Sequence, residues 1–400
     1  MSRFRLAGLL ALLALGATCL PFLASPASAI VAGPRTTPSI GKQLAELKGS
    51  DTGAGDGLGV AVAISGTTAV VGAPGGAKDA GRAYVFSKTG TVWNQAAELT
   101  GSGTVGGDFF GYSVAISGTT VFVGAPGYAK DAGREYVFAK RGKVWTLAAE
   151  LKGSDTAASD YFGDLVAISG QTAIVGADGY GKNAGRAYVF AKTGTGWRQA
   201  AELKGSDTAA GDGFGYSVAI SGTTAMVGAP DKAKGTGRAY VFTDTATGWR
   251  QAAELKGSDT AAGDGVGVSV AVSGTTAVVG APGYAKNAGR AYVFTDTGTG
   301  WRQAAELKGS TSAAGDDLGF SVAVSGTTAV VGAPGHAKDA GWAYLYAKTG
   351  SGWEEAAELK GSDTVADDYF GYSVAISGAT ALTGADGHAK SAGRVYVFEA

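Results

Sequence analysis

Short apolar runs separated by glycine-rich, weakly charged breaks fill most of the chain, and their alternation is periodic. Between Phe214 and Gly257 four strand-like pieces follow one another: FGYSVAIS (Phe214–Ser221), TTAMVGA (Thr223–Ala229), RAYVF (Arg238–Phe242) and GWRQAAELKG (Gly248–Gly257). β-Branched and aromatic residues dominate each piece, which predicts strands rather than helices. Ser-Gly between the first two is short enough for a tight hairpin. The longer APDKAKGTG joins the second to the third, and TDTATG the third to the fourth.

These four pieces recur along the sequence. Ala-Glu-Leu begins at Ala45, Ala97, Ala149, Ala201, Ala253, Ala305 and Ala357, every interval being 52 residues. Thr37 to Ala400 is 364 residues, or 7 × 52, without insertion or deletion. Four antiparallel strands per unit predict a blade, and seven units an all-β, seven-bladed β-propeller. The last copy stops at Val397–Ala400, after its third strand, while an unpaired fourth strand, SIGKQLAELKG, stands at Ser39–Gly49. The ring is therefore expected to close by the N-terminal strand completing the last blade, which removes the free ends of a linear stack. Small residues crowd the first two strands, as an axis requires, and larger aromatics the outer ones. Trp93, Trp145, Trp197, Trp249, Trp301 and Trp353 lie in register, with Gly41 in the corresponding N-terminal place. The closing blade is expected to be the least well packed.

Composition narrows the function classes. Glycine makes up 68 of 400 residues, against about 7% on average, which suits many tight turns. A net charge of −1, with 17% charged residues, lacks the basic surface that nucleic acid binding needs. Arg3 and Arg5, the apolar run Leu6–Ala24 and Ala27-Ser28-Ala29 read as a signal peptide over 1–29, cleaved after Ala29; an uncleaved membrane anchor is the alternative. Residues 30–36 are a linker and 37–400 the propeller. Cys19, the only cysteine, falls in the leader, so the mature chain is expected to be secreted, monomeric, without a membrane span and without thiol or disulfide.

Phe-Gly at Phe110-Gly111, Phe162-Gly163, Phe214-Gly215 and Phe370-Gly371 is followed by Gly-Ala-Pro at Gly72–Pro74, Gly124–Pro126, Gly228–Pro230, Gly280–Pro282 and Gly332–Pro334. The pattern resembles the FG-GAP repeat, which builds the seven-bladed propeller of integrin α subunits and many secreted bacterial proteins. Leu58, Val266 and Leu318 replace the Phe in copies one, five and six, and Asp178 and Asp386 replace the Pro in copies three and seven. Many members bind calcium through an Asp-rich loop between first and second strands. Here that place is Ser-Gly-Thr-Thr, as at Ser221–Thr224, with no carboxylate in any copy, whereas calcium wants six to eight oxygens. No cofactor is expected, and no metal site carries over. The resemblance implies binding rather than catalysis.

The fourth-to-first and second-to-third connections share one rim of a propeller, so one face is rich in loops, where function commonly sits. Two charges recur there in all copies: Asp56, Asp108, Asp160, Asp212, Asp264, Asp316 and Asp368, and Lys78, Lys130, Lys182, Lys234, Lys286, Lys338 and Lys390. The aspartates are expected to shape turns, with weak cation binding as the alternative. A second series, Asp51, Asp155, Asp207, Asp259 and Asp363, is broken by Gly103 and Thr311. The variable position beside each lysine, with Tyr128, Tyr180, Lys232, Tyr284, His336 and His388, supplies the candidate ligand contacts. Tyr161 and Tyr369 extend that surface, and Asp164, Glu135 and Trp342 are singular departures from the repeat. No nucleophile triad, phosphate loop or zinc motif is present. No catalytic residue is assigned: the expected function is non-catalytic adhesion to an extracellular protein, with lectin-like glycan binding through the Tyr/His positions as the alternative.

Overall fold

A computed structural model describes residues 40–400. It contains seven four-stranded antiparallel sheets, each ordered first to fourth strand from the axis outward. Blade 4 is typical: Ser217–Ser221, Thr224–Ala229, Arg238–Thr245 and Gly248–Leu255. Blade 7 joins Val374–Ser377, Thr380–Ala385 and Arg394–Glu399 to the N-terminal strand Gln43–Leu47, which pairs antiparallel with Arg394–Glu399. The expected closure is thus the observed one. The leader and linker, 1–36, lie outside the described residues. Among those described, no helix is long and apolar enough to cross a membrane.

One boundary differs from the sequence reading. Phe214-Gly215 does not open the first strand; it precedes it and reaches across to blade 3, forming a parallel bridge with Gly185. The Phe side chain is fully buried there, as are Leu58, Phe110, Phe162, Val266, Leu318 and Phe370 at the same place in the other blades. This contact explains the two motifs together. The glycine of each Gly-Ala-Pro, or of Gly-Ala-Asp in blades 3 and 7, lies against the backbone of the glycine at the next blade's Phe-Gly position: Gly72 on Gly111, Gly124 on Gly163, Gly176 on Gly215, and so on to Gly384 on Gly59. A methyl group on the first member of any pair would fall inside the carbonyl oxygen of the second.

The core is divided among the seven blade interfaces rather than gathered in one place. Val70, Val85 and Ala83 of blade 1 pack on Val114, Val121 and Val123 of blade 2, and Leu382, Val395 and Val397 of blade 7 pack on Val71 and Tyr84 of blade 1. The tryptophans fill the outer part of these gaps, as where Trp197 meets Phe122 edge-on at 4.9 Å, a favoured aromatic geometry. Gly41, in place of the seventh tryptophan, sits close against Ala357 of blade 6.

The turn-rich face carries a closed belt. The hairpin glycine of every blade donates its N–H to the serine of the preceding blade, from Gly118 to Ser65 at 3.1 Å through Gly378 to Ser325 at 3.3 Å. Gly66 donates to Ser377 at 3.1 Å and closes the circle.

Candidate functional site

The loop-rich face is built from one device used seven times. The connection from second to third strand contains a left-handed turn, such as Ala77 (φ 51°), Lys78 (φ 60°) and Asp79 (φ 66°). Three successive residues in this region cost about 1–2 kcal/mol each when they carry a Cβ. The offset is a lock between blades, because the turn aims its carbonyls at the next loop. Asp79 O accepts N–H bonds from Gly107 and Phe109, both at 3.0 Å, and Ala80 O accepts one from Phe110 at 3.1 Å. The seven lysines of these turns, from Lys78 to Lys390, are exposed.

The recurrent aspartates hold the adjoining loop. Asp56, Asp108, Asp160, Asp212, Asp264, Asp316 and Asp368 each accept, through Oδ2, the backbone N–H three residues earlier, at 2.6–2.9 Å. The second series anchors the buried tyrosines: Tyr188, Tyr240 and Tyr292 donate to Asp155, Asp207 and Asp259 at 2.8 Å. Where Thr311 breaks that series, its hydroxyl takes the Tyr344 phenol at 2.9 Å.

The variable position folds back on this frame, and all six of its larger side chains are half-buried. Tyr180 and Tyr284 donate to Asp155 and Asp259 at 2.8 Å. The guanidinium of Arg186 lies 4.6 Å from the Tyr180 ring and that of Arg290 4.0 Å from the Tyr284 ring. Tyr128, whose loop has Gly103 in place of the aspartate, keeps only the stacked Arg134, at 4.2 Å. Lys232 pairs with Asp207 and Asp212, each at 3.2 Å. His336 Nδ1 lies 2.8 Å from Asp316 and His388 Nδ1 2.9 Å from Asp368. Trp342, in the place of the recurrent arginine, stacks on His336 at 4.2 Å.

Two other groups of side chains depart from this pattern, one on the exposed rim and one around the axis. The residue after each recurrent aspartate has φ between 55° and 67° in all seven blades, because its N–H must reach the preceding left-handed turn. Gly57, Gly213 and Gly265 meet that demand cheaply. Phe109, Tyr161 and Tyr369 do not, yet they occupy it at φ 55–56° with 37–39% of their surface exposed. In blades 2 and 7 the same loops carry Val105 and Val365, each 63% exposed. Phe109 was legible in register with Tyr161 and Tyr369 but was masked by the neighbouring Phe110. Glycine at these three positions relieves the backbone and is expected to leave stability unchanged or raise it by about 1 kcal/mol each, measured by chemical denaturation of the single variants.

The second group surrounds the axis. A cavity of about 280 Å³ is lined by three residues from each blade. Its lowest ring is Val62, Val114, Val166, Val218, Val270, Val322 and Val374, with Ala61, Leu165 and five serines next along the strands. Its mouth, at the loop-rich end of the first strands, is Val60, Tyr112, Asp164, Tyr216, Val268, Phe320 and Tyr372. Phe320 and Tyr372 meet in a tilted contact, their ring centroids 5.0 Å apart and their planes at 46°. Burial, helped by the nearby Asp178, pushes Asp164 up to about 8; burial alone raises Asp386 to about 6. The negative charge of Asp164, then burial, raises the Tyr112 phenol. Sequence reading singled out Asp164 but not its ring. The signal was a column of large aromatics, 52 residues apart, in strands otherwise made of small residues.

Comparison with known proteins gives one result. The family model of the FG-GAP repeat matches residues 42–86, 93–138, 145–190, 197–242, 249–294, 301–346 and 353–398, and no curated protein matches the chain. Each matched segment takes the outer strand of one blade with the three inner strands of the next, so the repeat is offset from the blade by one strand and its copies interlock. With seven matched copies spanning most of its length, and the Gly-Ala-Pro glycine of every blade seated on the Phe-Gly glycine of its neighbour, the chain belongs to the FG-GAP repeat family.

Proposed function

We propose that this chain is a secreted, non-catalytic binding module of the adhesion type, which takes an extracellular protein ligand on the loop-rich face of the propeller. The observation that carries this reading is the exposed set Phe109, Tyr161 and Tyr369, held where the backbone favours glycine. Bulky residues kept in strained conformations mark places where something other than stability is selected. Aromatic rings on a rigid frame are the usual anchors of protein interfaces. The three belong to blades 7, 2 and 3, within one half of the ring. Membership of the FG-GAP family supports a binding role, and the leader read over 1–29 supports export. Glycan binding through Tyr128, Tyr180 and Tyr284 has less support, since an arginine covers one face of each ring.

A photo-crosslinking amino acid placed at Phe109 tests the reading against one placed at Thr223 on the turn-rich face. With extracellular material from the producing organism, a defined protein adduct is expected from position 109 and not from 223. Equal labelling from both positions, or labelling from 223 alone, would contradict the assignment of the face.

The module is expected to need no calcium: one oxygen of each loop aspartate accepts a backbone N–H, and among the described residues no three acidic, His or Cys side chains converge as a cation would require. Addition of a chelator is expected to leave the melting temperature unchanged. A fall of several degrees, reversed by calcium, would show that these loops hold the ion.

A further inference from the structure

Sevenfold repetition fails most completely at the axial mouth, where one carboxyl group and four aromatic rings replace what could have been a uniform ring. Three features of this cup bear on what it holds. Its volume, about 280 Å³, lies at the small end of ligand pockets, roughly 300–1,000 Å³, and admits one compact group rather than an extended chain. Its walls offer aromatic faces, from Tyr112, Tyr216, Phe320 and Tyr372. The Asp164 carboxyl and the phenols of Tyr112, Tyr216 and Tyr372 have no hydrogen-bond partner among the described residues. An apolar guest would leave all four of these polar groups unpaired.

We propose that the axial cup is a second binding site, for the terminal ring of a neutral saccharide, with Asp164 as its polar anchor and Tyr112, Tyr216 and Tyr372 as faces and hydroxyl partners. A pyranose presents apolar C–H faces and several hydroxyls in one rigid body, which matches stacked rings with a few convergent oxygen atoms. A cationic guest fits less well. It requires an ionised Asp164, and burial, with Asp178 alongside, holds that carboxyl toward its neutral form near pH 7. Asp231 and Asp386 stand near Tyr216 and Tyr372 of the mouth, and burial raises both of these carboxyls as well.

The site is separate from the aromatic rim assigned to a protein ligand, and its test is separate as well. The full chain is titrated, by calorimetry or NMR, with the methyl glycosides of glucose, galactose, mannose, fucose and N-acetylglucosamine, and with butyltrimethylammonium as a cationic control. At least one glycoside is expected to saturate a single site below about 100 mM, and Asp164→Val to weaken it tenfold or more. Valine already stands at this position in blades 1 and 5, so the variant retains the fold, which an unchanged melting temperature verifies. Tyr216→Val is expected to act in the same direction. Failure of every glycoside to saturate, or equal binding by Asp164→Val, overturns the proposal. Saturation by the ammonium control instead, lost in Asp164→Val, overturns it in favour of a cation site. Glycoside binding that survives Phe109→Gly, Tyr161→Gly and Tyr369→Gly, together with crosslinking from Phe109 that survives Asp164→Val, keeps the two readings distinguishable.

Discussion

Replacing Gly176 with alanine is expected to cost about 3–5 kcal/mol of stability, far more than a methyl group costs at an ordinary strand position. The φ of Gly176 is one that alanine adopts freely, so conformational preference is not the reason. The obstacle is the Gly215 carbonyl of blade 4, which occupies the space a Cβ would need. Backbone stands on both sides of that contact, so neither side chain rotation nor local repacking can relieve it, and blades 3 and 4 must separate. Gly211→Ala is the natural control. Its Cβ would meet nothing within 4 Å, although its φ of 86° imposes a backbone cost of its own. Urea denaturation of both variants decides the matter: a Gly176→Ala protein as stable as its parent would mean that the paired glycines do not set the blade spacing.

Glu135 supplies the opposite case, a substitution expected to stabilise. It lies in the third strand of blade 2, where alanine stands in five other blades, and it is wholly buried with both carboxylate oxygens unpartnered. Burial raises its pKa well above the ordinary glutamate value. Glu135→Ala is expected to gain about 3 kcal/mol at pH 7, from removing unsatisfied oxygens and the work of keeping a proton on a buried acid. The pH dependence has a definite sign. Below about 4.5 the carboxyl is protonated in folded and unfolded chains alike, and only the unsatisfied oxygens count. Above that value the unfolded chain loses the proton while the folded one retains it, so the parent loses stability as pH rises. The gain from alanine is therefore expected to be larger at pH 7 than at pH 4. Glu135→Gln, which cannot titrate, should remove the difference between the two pH values while keeping most of the burial cost. A gain independent of pH would show that Glu135 ionises normally in the fold.

These two positions also mark what the sequence made legible. The 52-residue period, the hairpin signal and the displaced N-terminal strand were enough for blade number, strand order and closure, because all three follow from local pattern and chain connectivity. The reason for the Phe-Gly and Gly-Ala-Pro glycines was not legible, since it lies in contact between neighbouring blades, which no single unit displays. Phe214 read as the start of a strand for the same cause: its apolar neighbours satisfy strand periodicity, while its bridge to Gly185 belongs to another blade.

The site was read less completely than the fold. The recurrent aspartates were expected as turn-formers and bond backbone N–H groups as such. The variable Tyr, Lys and His positions were expected to be displayed, and the structure places them half-buried, against Arg186, Arg290, Asp316 and their equivalents. Loop position alone cannot tell a displayed ring from one stacked beneath a strand residue six positions on. Tyr161 and Tyr369 were named from the sequence, but their left-handed backbone, the matching Phe109 and the axial ring became visible only when backbone conformation and the common axis were known.

The most direct test of the central claim compares the parent chain with Phe109→Gly, Tyr161→Gly and Tyr369→Gly combined, measuring stability and ligand binding on the same samples. The protein adduct identified by crosslinking serves as the ligand, its affinity read by surface binding. The account predicts a triple variant at least as stable as the parent whose binding falls at least tenfold. A variant that binds as tightly as the parent would contradict the account, and would leave the strained aromatics of the loop-rich face without a functional explanation.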